Sequence, residues 1–150
     1  NKFSPKRIIL DKNLDIKLTS YIFQSAKKGN TILFYHSSNT KKIKVLKKKG
    51  LTMIKTKLNN ESLLDLKIVL KKLFTLGTRS LLVEGGDKIS KNLIKNRLID
   101  TFYLFQSPKI LRVNKINQGF TSFGILNSKY KKVSKITSKL AKDNITIYKR

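Results

Sequence analysis

The sequence predicts an α/β fold in which helices flank a mostly parallel central sheet and a β-hairpin closes the chain. Two observations carry this expectation. Short β-branched runs of strand length alternate with segments of helical period, the order produced by strand–helix units that build a parallel sheet. At the end, two further strand-length runs, residues 132–140 and 144–148, follow one another across Lys142-Asp143, as an antiparallel hairpin at a sheet edge requires.

The first strand is expected at residues 6–10 (KRIIL), entered from Pro5 and followed by the turn-prone Asp11-Lys12-Asn13. Residues 20–28 predict a short helix stopped by Gly29, and residues 31–35 (TILFY) a second strand. Thr40 is the expected N-cap of a helix that carries Ile43, Val45 and Leu46 inward and ends at Gly50. A third strand follows over 51–56. Glu61 or Ser62 then opens the strongest helix, with Leu63, Leu66, Leu70, Leu73 and Phe74 at helical spacing up to Gly77.

Residues 80–84 (SLLVE) read as a buried strand that runs through Gly85-Gly86-Asp87 into a helix over 88–96. The aromatic run 100–106 (DTFYLFQ) is the next strand; alternation places Phe102 and Leu104 on one face and Tyr103 and Phe105 on the other, so both faces need cover. Residues 114–128 are polar, contain Gly119 and Gly124, and are expected to be irregular.

Composition narrows the function. At 150 residues, 39% of them hydrophobic, the chain suits one ordinary folding unit. Without Cys and with His36 as its single His, it offers no disulfide framework and no metal site. No apolar run approaches the roughly 20 residues of a membrane span, so no membrane partner is expected. The start at Asn1 has neither an initiator Met nor a signal-peptide pattern; it reads as a cut within a longer cytoplasmic protein. The formal net charge of +26 would attract polyanions, yet the Lys residues are spread along the whole chain beside abundant Asn and Ile, the pattern of solvated surface under biased codon usage.

The segment with most chemistry in it is residues 80–90. A strand ending in Glu84, two glycines and a helix start is what a bound phosphate needs: backbone unobstructed by Cβ at Gly85 and Gly86, then the free N–H groups of a helix N-terminus. The same pattern also serves as a tight connection, and it is neither a G-x-G-x-x-G fingerprint nor a Walker loop.

Four motifs stand in order: Pro5-Lys6-Arg7-Ile8-Ile9-Leu10-Asp11, Leu81-Leu82-Val83-Glu84-Gly85-Gly86, Leu98-Ile99-Asp100 and Pro108-Lys109-Ile110-Leu111. Together they resemble the C-terminal reductase domain of the bifunctional riboflavin deaminase/reductase (RibD) family. That resemblance implies a dihydrofolate-reductase-like fold, NADPH as cofactor, and reduction of the phosphoribosylamino-pyrimidine 5-amino-6-(5-phosphoribosylamino)uracil to its ribityl product by hydride transfer to the ribose C1. It implies substrate contact at Glu84 and cofactor contacts at Gly85, Gly86, Asp87, Lys88, Ile89, Ser90, Lys91 and Asn92. Lys12 stands where relatives carry a small hydroxylated cofactor contact, so that contact is either lost or replaced by a Lys–phosphate pair. Thr101 and Arg112 depart from the family pattern, and the family's first strands and its zinc deaminase half lie outside these 150 residues. A homo-oligomer joined along the aromatic strand, and an upstream fusion to a zinc deaminase domain, are the expected assemblies. The competing readings are a reductase of the same fold with another substrate, and a basic nucleic-acid-binding module drawing on Lys41–Lys49 and Lys129–Lys132. His36, after the TILFY strand, reads as a surface residue ahead of a general acid.

Overall fold

The computed structural model describes residues 5–108, 120–137 and 143–150. The chain divides into two compact units, Asn1–Ser80 and Leu81–Arg150.

In the first unit, β1 (Arg7–Leu10), β2 (Thr31–Tyr35) and β3 (Thr52–Lys55) form a parallel sheet in the order β1-β2-β3. β2 is the central strand, and all five of its residues are buried. Its alternation divides the core in two. Leu33 and Tyr35 face Leu14, Phe23, Leu46 and Leu51 with Ile9 and Met53 beside them, while Ile32 and Phe34 face Leu64, Val69 and Leu73 with Ile8, Leu10 and Ile54. A strand covered on both faces must be apolar throughout, which is why TILFY shows no polar alternation.

Helix α2 (Thr40–Lys48) buries Leu46. Its N-cap is Asn39 rather than Thr40: the Asn39 side chain accepts from the Lys42 N–H at 3.0 Å. Val45 lies one position off the inward stripe and is exposed. Helix α1 is a single turn, Tyr21–Gln24, shorter than the span expected. The reason is Ser25, whose Oγ accepts from Arg7 Nη1 at 2.7 Å and whose carbonyl accepts from Arg7 Nη2 at 3.1 Å, so the carbonyl a continuing helix would use is taken.

Helix α3 (Leu66–Thr75) begins later than Glu61 or Ser62. The Asn59 side chain closes a turn over these residues by accepting from the N–H groups of Glu61 and Leu63, and Asp65 caps the helix by accepting from Lys67 and Ile68. Leu66, Val69 and Leu73 form its buried stripe, and Phe74 is exposed under the Arg79 guanidinium, 4.4 Å from the ring centroid.

The expected strand at residues 80–84 is not formed. Residues 80–86 are exposed and belong to neither sheet, and Leu82 is 81% exposed. SLLVE has the side chains of a strand, but a strand exists only where another offers its edge, and none of the described strands pairs with it.

In the second unit, β4 (Thr101–Gln106), β5 (Lys131–Thr137) and β6 (Asn144–Lys149) form an antiparallel sheet in the order β4-β6-β5, with a bulge between Lys132 and Ser134. The expected hairpin is therefore present, with β5 at the edge. Helix α4 (Asp87–Lys95) follows the two glycines. Residues 123–129, expected to be irregular, form helix α5 (Phe123–Lys129), because Leu126 and Tyr130 bury against Ile94, Leu104 and Tyr148. Gly124 points to open space and leaves that packing intact. The 114–119 part of the irregular segment, the 138–140 end of the expected strand, and Lys109, Ile110, Leu111 and Arg112 lie outside the described residues. Among the described residues no helix is long and apolar enough to cross a membrane, and no group of three or more His, Cys, Asp or Glu is placed to hold a metal ion.

Candidate functional site

Parallel pairing brings the carboxyl ends of β1, β2 and β3 to one edge of the first unit, the edge where ligands bind in open α/β sheets. The exit from β1 is shaped by Asp11. Its Oδ1 accepts from the Asp15 N–H and its Oδ2 from the Ile16 N–H, each at 2.8 Å, and the turn buries Leu14 at φ 65°. This holds Lys12, whose carbonyl accepts from the His36 and Ser37 N–H groups at 2.9 and 3.0 Å, locking the exits of β1 and β2 together.

The result is an open depression of about 480 Å³ lined by Lys12, Asn13, His36, Ser37, Ser38, Lys55 and Leu58. Lys12 Nζ donates to the Ser62 carbonyl at 3.2 Å. His36 Nδ1 lies 2.9 Å from the Thr56 carbonyl; a carbonyl only accepts, so Nδ1 carries the proton. The lining offers two ammonium groups and two hydroxyls, the donors an anion requires.

A second set of predicted residues lies in the other unit, at the head of α4. Gly86 is the N-cap, with φ −72° and ψ 176°, and no side chain caps the helix. The first-turn N–H groups have no partner inside a helix, so here they face outward unclaimed by a cap. A Cβ on Gly86 would meet no protein atom, whereas one on Gly85 would collide with Ile89 Cγ2. The two glycines therefore differ: Gly85 is required by the fold, and Gly86 leaves open space. Glu84 is exposed beside them, as are Lys88 and Lys91; Ile89 and Ser90 are half-buried.

Two residues of the predicted cofactor set bond to other parts of the second unit. Asn92 is buried, and its Oδ1 accepts from Asn96 Nδ2 at 3.1 Å. Asp87 Oδ1 accepts from the Thr121 N–H at 2.9 Å and Ser122 Oγ at 3.2 Å, and Oδ2 accepts from Thr121 Oγ1 at 2.6 Å. These bonds, led by the Thr121 hydroxyl and aided by Lys91, hold the Asp87 carboxyl below its ordinary range despite the opposing effect of burial.

The RibD C-terminal domain model matches residues 1–141. This chain belongs to the RibD C-terminal domain family. Among its relatives, the riboflavin biosynthesis protein RibD of Aquifex aeolicus is 30% identical over 146 residues, 97% of this chain and 39% of that protein. The riboflavin biosynthesis protein RibD of Actinobacillus pleuropneumoniae is 27% identical over 111 residues, 74% of this chain and 29% of the relative. The RibD C-terminal fold is also seen in solved structures. Acinetobacter baumannii RibD superposes with a TM-score of 0.70 at 21% identity, covering 97% of this chain and 37% of that one. A pyrimidine reductase-like protein of Corynebacterium diphtheriae gives 0.66 at 16% identity, over 97% of this chain and 60% of that one. The mixed α/β architecture is thus that of RibD structures, with which a dihydrofolate-reductase-like fold is consistent.

Against the RibD motifs, Arg7 to Asp11 form β1 and its exit turn, Leu81 to Gly86 form the exposed lead into α4, and Asp100 pairs with Arg150 at 3.1 Å on the surface. Of the residues lining the depression, the sequence reading names Lys12 as a cofactor contact and does not name Ser37, Ser38 or Lys55. The available signal was positional, since each follows or ends a parallel strand on its carboxyl side.

Proposed function

We propose that this chain is the reductase portion of a riboflavin-biosynthesis enzyme that reduces 5-amino-6-(5-phosphoribosylamino)uracil to its ribityl product with NADPH. Membership of the RibD C-terminal domain family carries this reading; the names of the curated relatives support the pathway, and the local chemistry supports a phosphate-bearing cofactor. The chemistry NADPH supplies when bound is a hydride for the ribose C1.

The protein's own part is binding and orientation. The uncapped head of α4, entered through Gly86, suits a pyrophosphate: its amides donate, the helix dipole favours negative charge, and Lys88 and Lys91 add to the field. Lys12, with Lys55 beside it, suits a phosphate at the carboxyl ends of the first sheet. Glu84, exposed beside the two glycines and matching the family's substrate carboxylate, is the acceptor for ribose hydroxyls or the linking amine in this reading. A cytoplasmic enzyme, an upstream deaminase domain in the same polypeptide and a homo-oligomer joined along β4 complete the proposal.

Fluorescence titration with NADPH tests it, using the full natural polypeptide that contains these residues. The Cβ that Gly86→Val adds meets no protein atom, so the variant folds, with a cost confined to the weaker N-cap, while NADPH affinity falls about tenfold or more. Glu84→Gln binds NADPH normally but loses substrate-dependent oxidation. A folded wild-type protein with no saturable NADPH binding overturns the reading and sends the basic surface to oligonucleotide binding across a salt series.

A further inference from the structure

We infer that Asp87 is a positioning residue, setting the cofactor-binding turn at Gly85–Gly86 in place through the segment before α5; this rests on the proposed NADPH reading. The turn has little else to place it. Its lead-in, residues 80–86, is exposed and outside both sheets, and Gly86 provides no side chain. Buried Asn92, Leu93 and Ile94 hold the body of α4, and at its head the side chain tied to another segment is the first helical one, Asp87.

The Asp87 carboxylate takes the Thr121 N–H, the Thr121 hydroxyl and the Ser122 hydroxyl, with Ser122 itself buried at 4% exposure. Segment 120–122 is anchored in turn. The Phe120 ring lies 5.4 Å from that of Phe102 on β4 and 5.0 Å from that of Phe123 on α5. A continuous series of contacts thus runs from β4 through Phe120 and Thr121 to Asp87 and the adjoining Gly86.

At the other end of the helix pair, Lys129 Nζ donates to the Lys95 carbonyl at 2.6 Å. Heads meet heads and tails meet tails, so α4 and α5 run parallel and are tied at both ends. Only the head tie adjoins the proposed site. Because the carboxylate is turned toward Thr121 and Ser122, it leaves the first-turn amides of α4 to a ligand. Three donors on one carboxylate also offset the repulsion it would otherwise exert on a bound phosphate.

The two ties separate positioning from stability. In the full polypeptide, Asp87→Ala and Thr121→Val raise the KM for NADPH about tenfold to a hundredfold while kcat stays within about twofold. Asp87→Asn, which keeps an acceptor for the Thr121 N–H, recovers part of the loss. Lys129→Met removes the tail tie and lowers the melting temperature without moving KM. Unchanged KM in both Asp87→Ala and Thr121→Val, or an equal rise in Lys129→Met, overturns the positioning role while the NADPH reading stands. Absence of NADPH binding by the wild-type protein overturns both. If Asp87→Ala does not fold, Thr121→Val decides.

Discussion

Among single residues, Asp87 gives the clearest pH dependence. Its carboxyl is held below the ordinary range by hydrogen bonds that exist only in the folded chain, so the charged form is the one folding favours. The stabilisation is fully present above the unfolded-state value, roughly 3.9 for an aspartate, and is lost as pH falls through the lower folded value. The Thr121 amide resonance, followed by NMR in an acid titration, is expected to turn over with a midpoint below that of an exposed aspartate; a midpoint at or above it would remove the clamp. Little of this was visible in the sequence. Asp87 and Thr121 are 34 residues apart, and no local pattern links an acidic residue after Gly-Gly to a Thr-Ser pair beyond an unrelated strand. Lys12 emerged only through family resemblance, and Ser37, Ser38 and Lys55 join it because a parallel register brings three strand exits together.

Elements were legible where their own side chains decide them. β2 was read at its observed bounds because an unbroken apolar run can lie only at the centre of a covered sheet, and β6, read as 144–148, was found one residue short from its β-branched run. Boundaries were lost where side chains competed to end or begin a helix. Asn59, Ser62 and Asp65 are all capping types within one stretch, and Asp65 prevails because the Asn59 turn has already used the amides before it. Asp65→Ala is accordingly expected to cost about 1 kcal/mol, measured by urea unfolding, whereas Ser62→Ala, outside the helix, changes stability little. α5 escaped notice because seven residues with a glycine second in line present no helical period, and its burial depends on partners distant in sequence. SLLVE erred in the opposite sense: composition shows what a strand contains, never whether a neighbouring edge is there to receive it.

At the scale of the molecule, charge and exposed apolar surface oppose one another. Tyr103 and Phe105 are 55% and 66% exposed on one face of β4, with Ile145, Ile147 and Ile136 beside them in register. Alternation had placed these aromatics opposite Phe102 and Leu104, and only that second pair lies against the second unit's core. With a net charge of +26, self-association through the aromatic face must overcome repulsion that salt screens. Light scattering of the full polypeptide is expected to give an oligomer that strengthens with ionic strength and is weakened by Phe105→Lys; a monomer at all salt concentrations would count against it. The two sheets also differ in how a ribosome delivers them. In the order β1-β2-β3 each strand emerges beside the one already made, so the parallel sheet can grow as the chain lengthens. In β4-β6-β5 the middle position belongs to the strand synthesised last. Until Asn144 to Lys149 have left the exit tunnel, β4 and β5 have no ladder between them, and the unit that holds Gly86 and Asp87 waits, unassembled, on the third strand of its sheet.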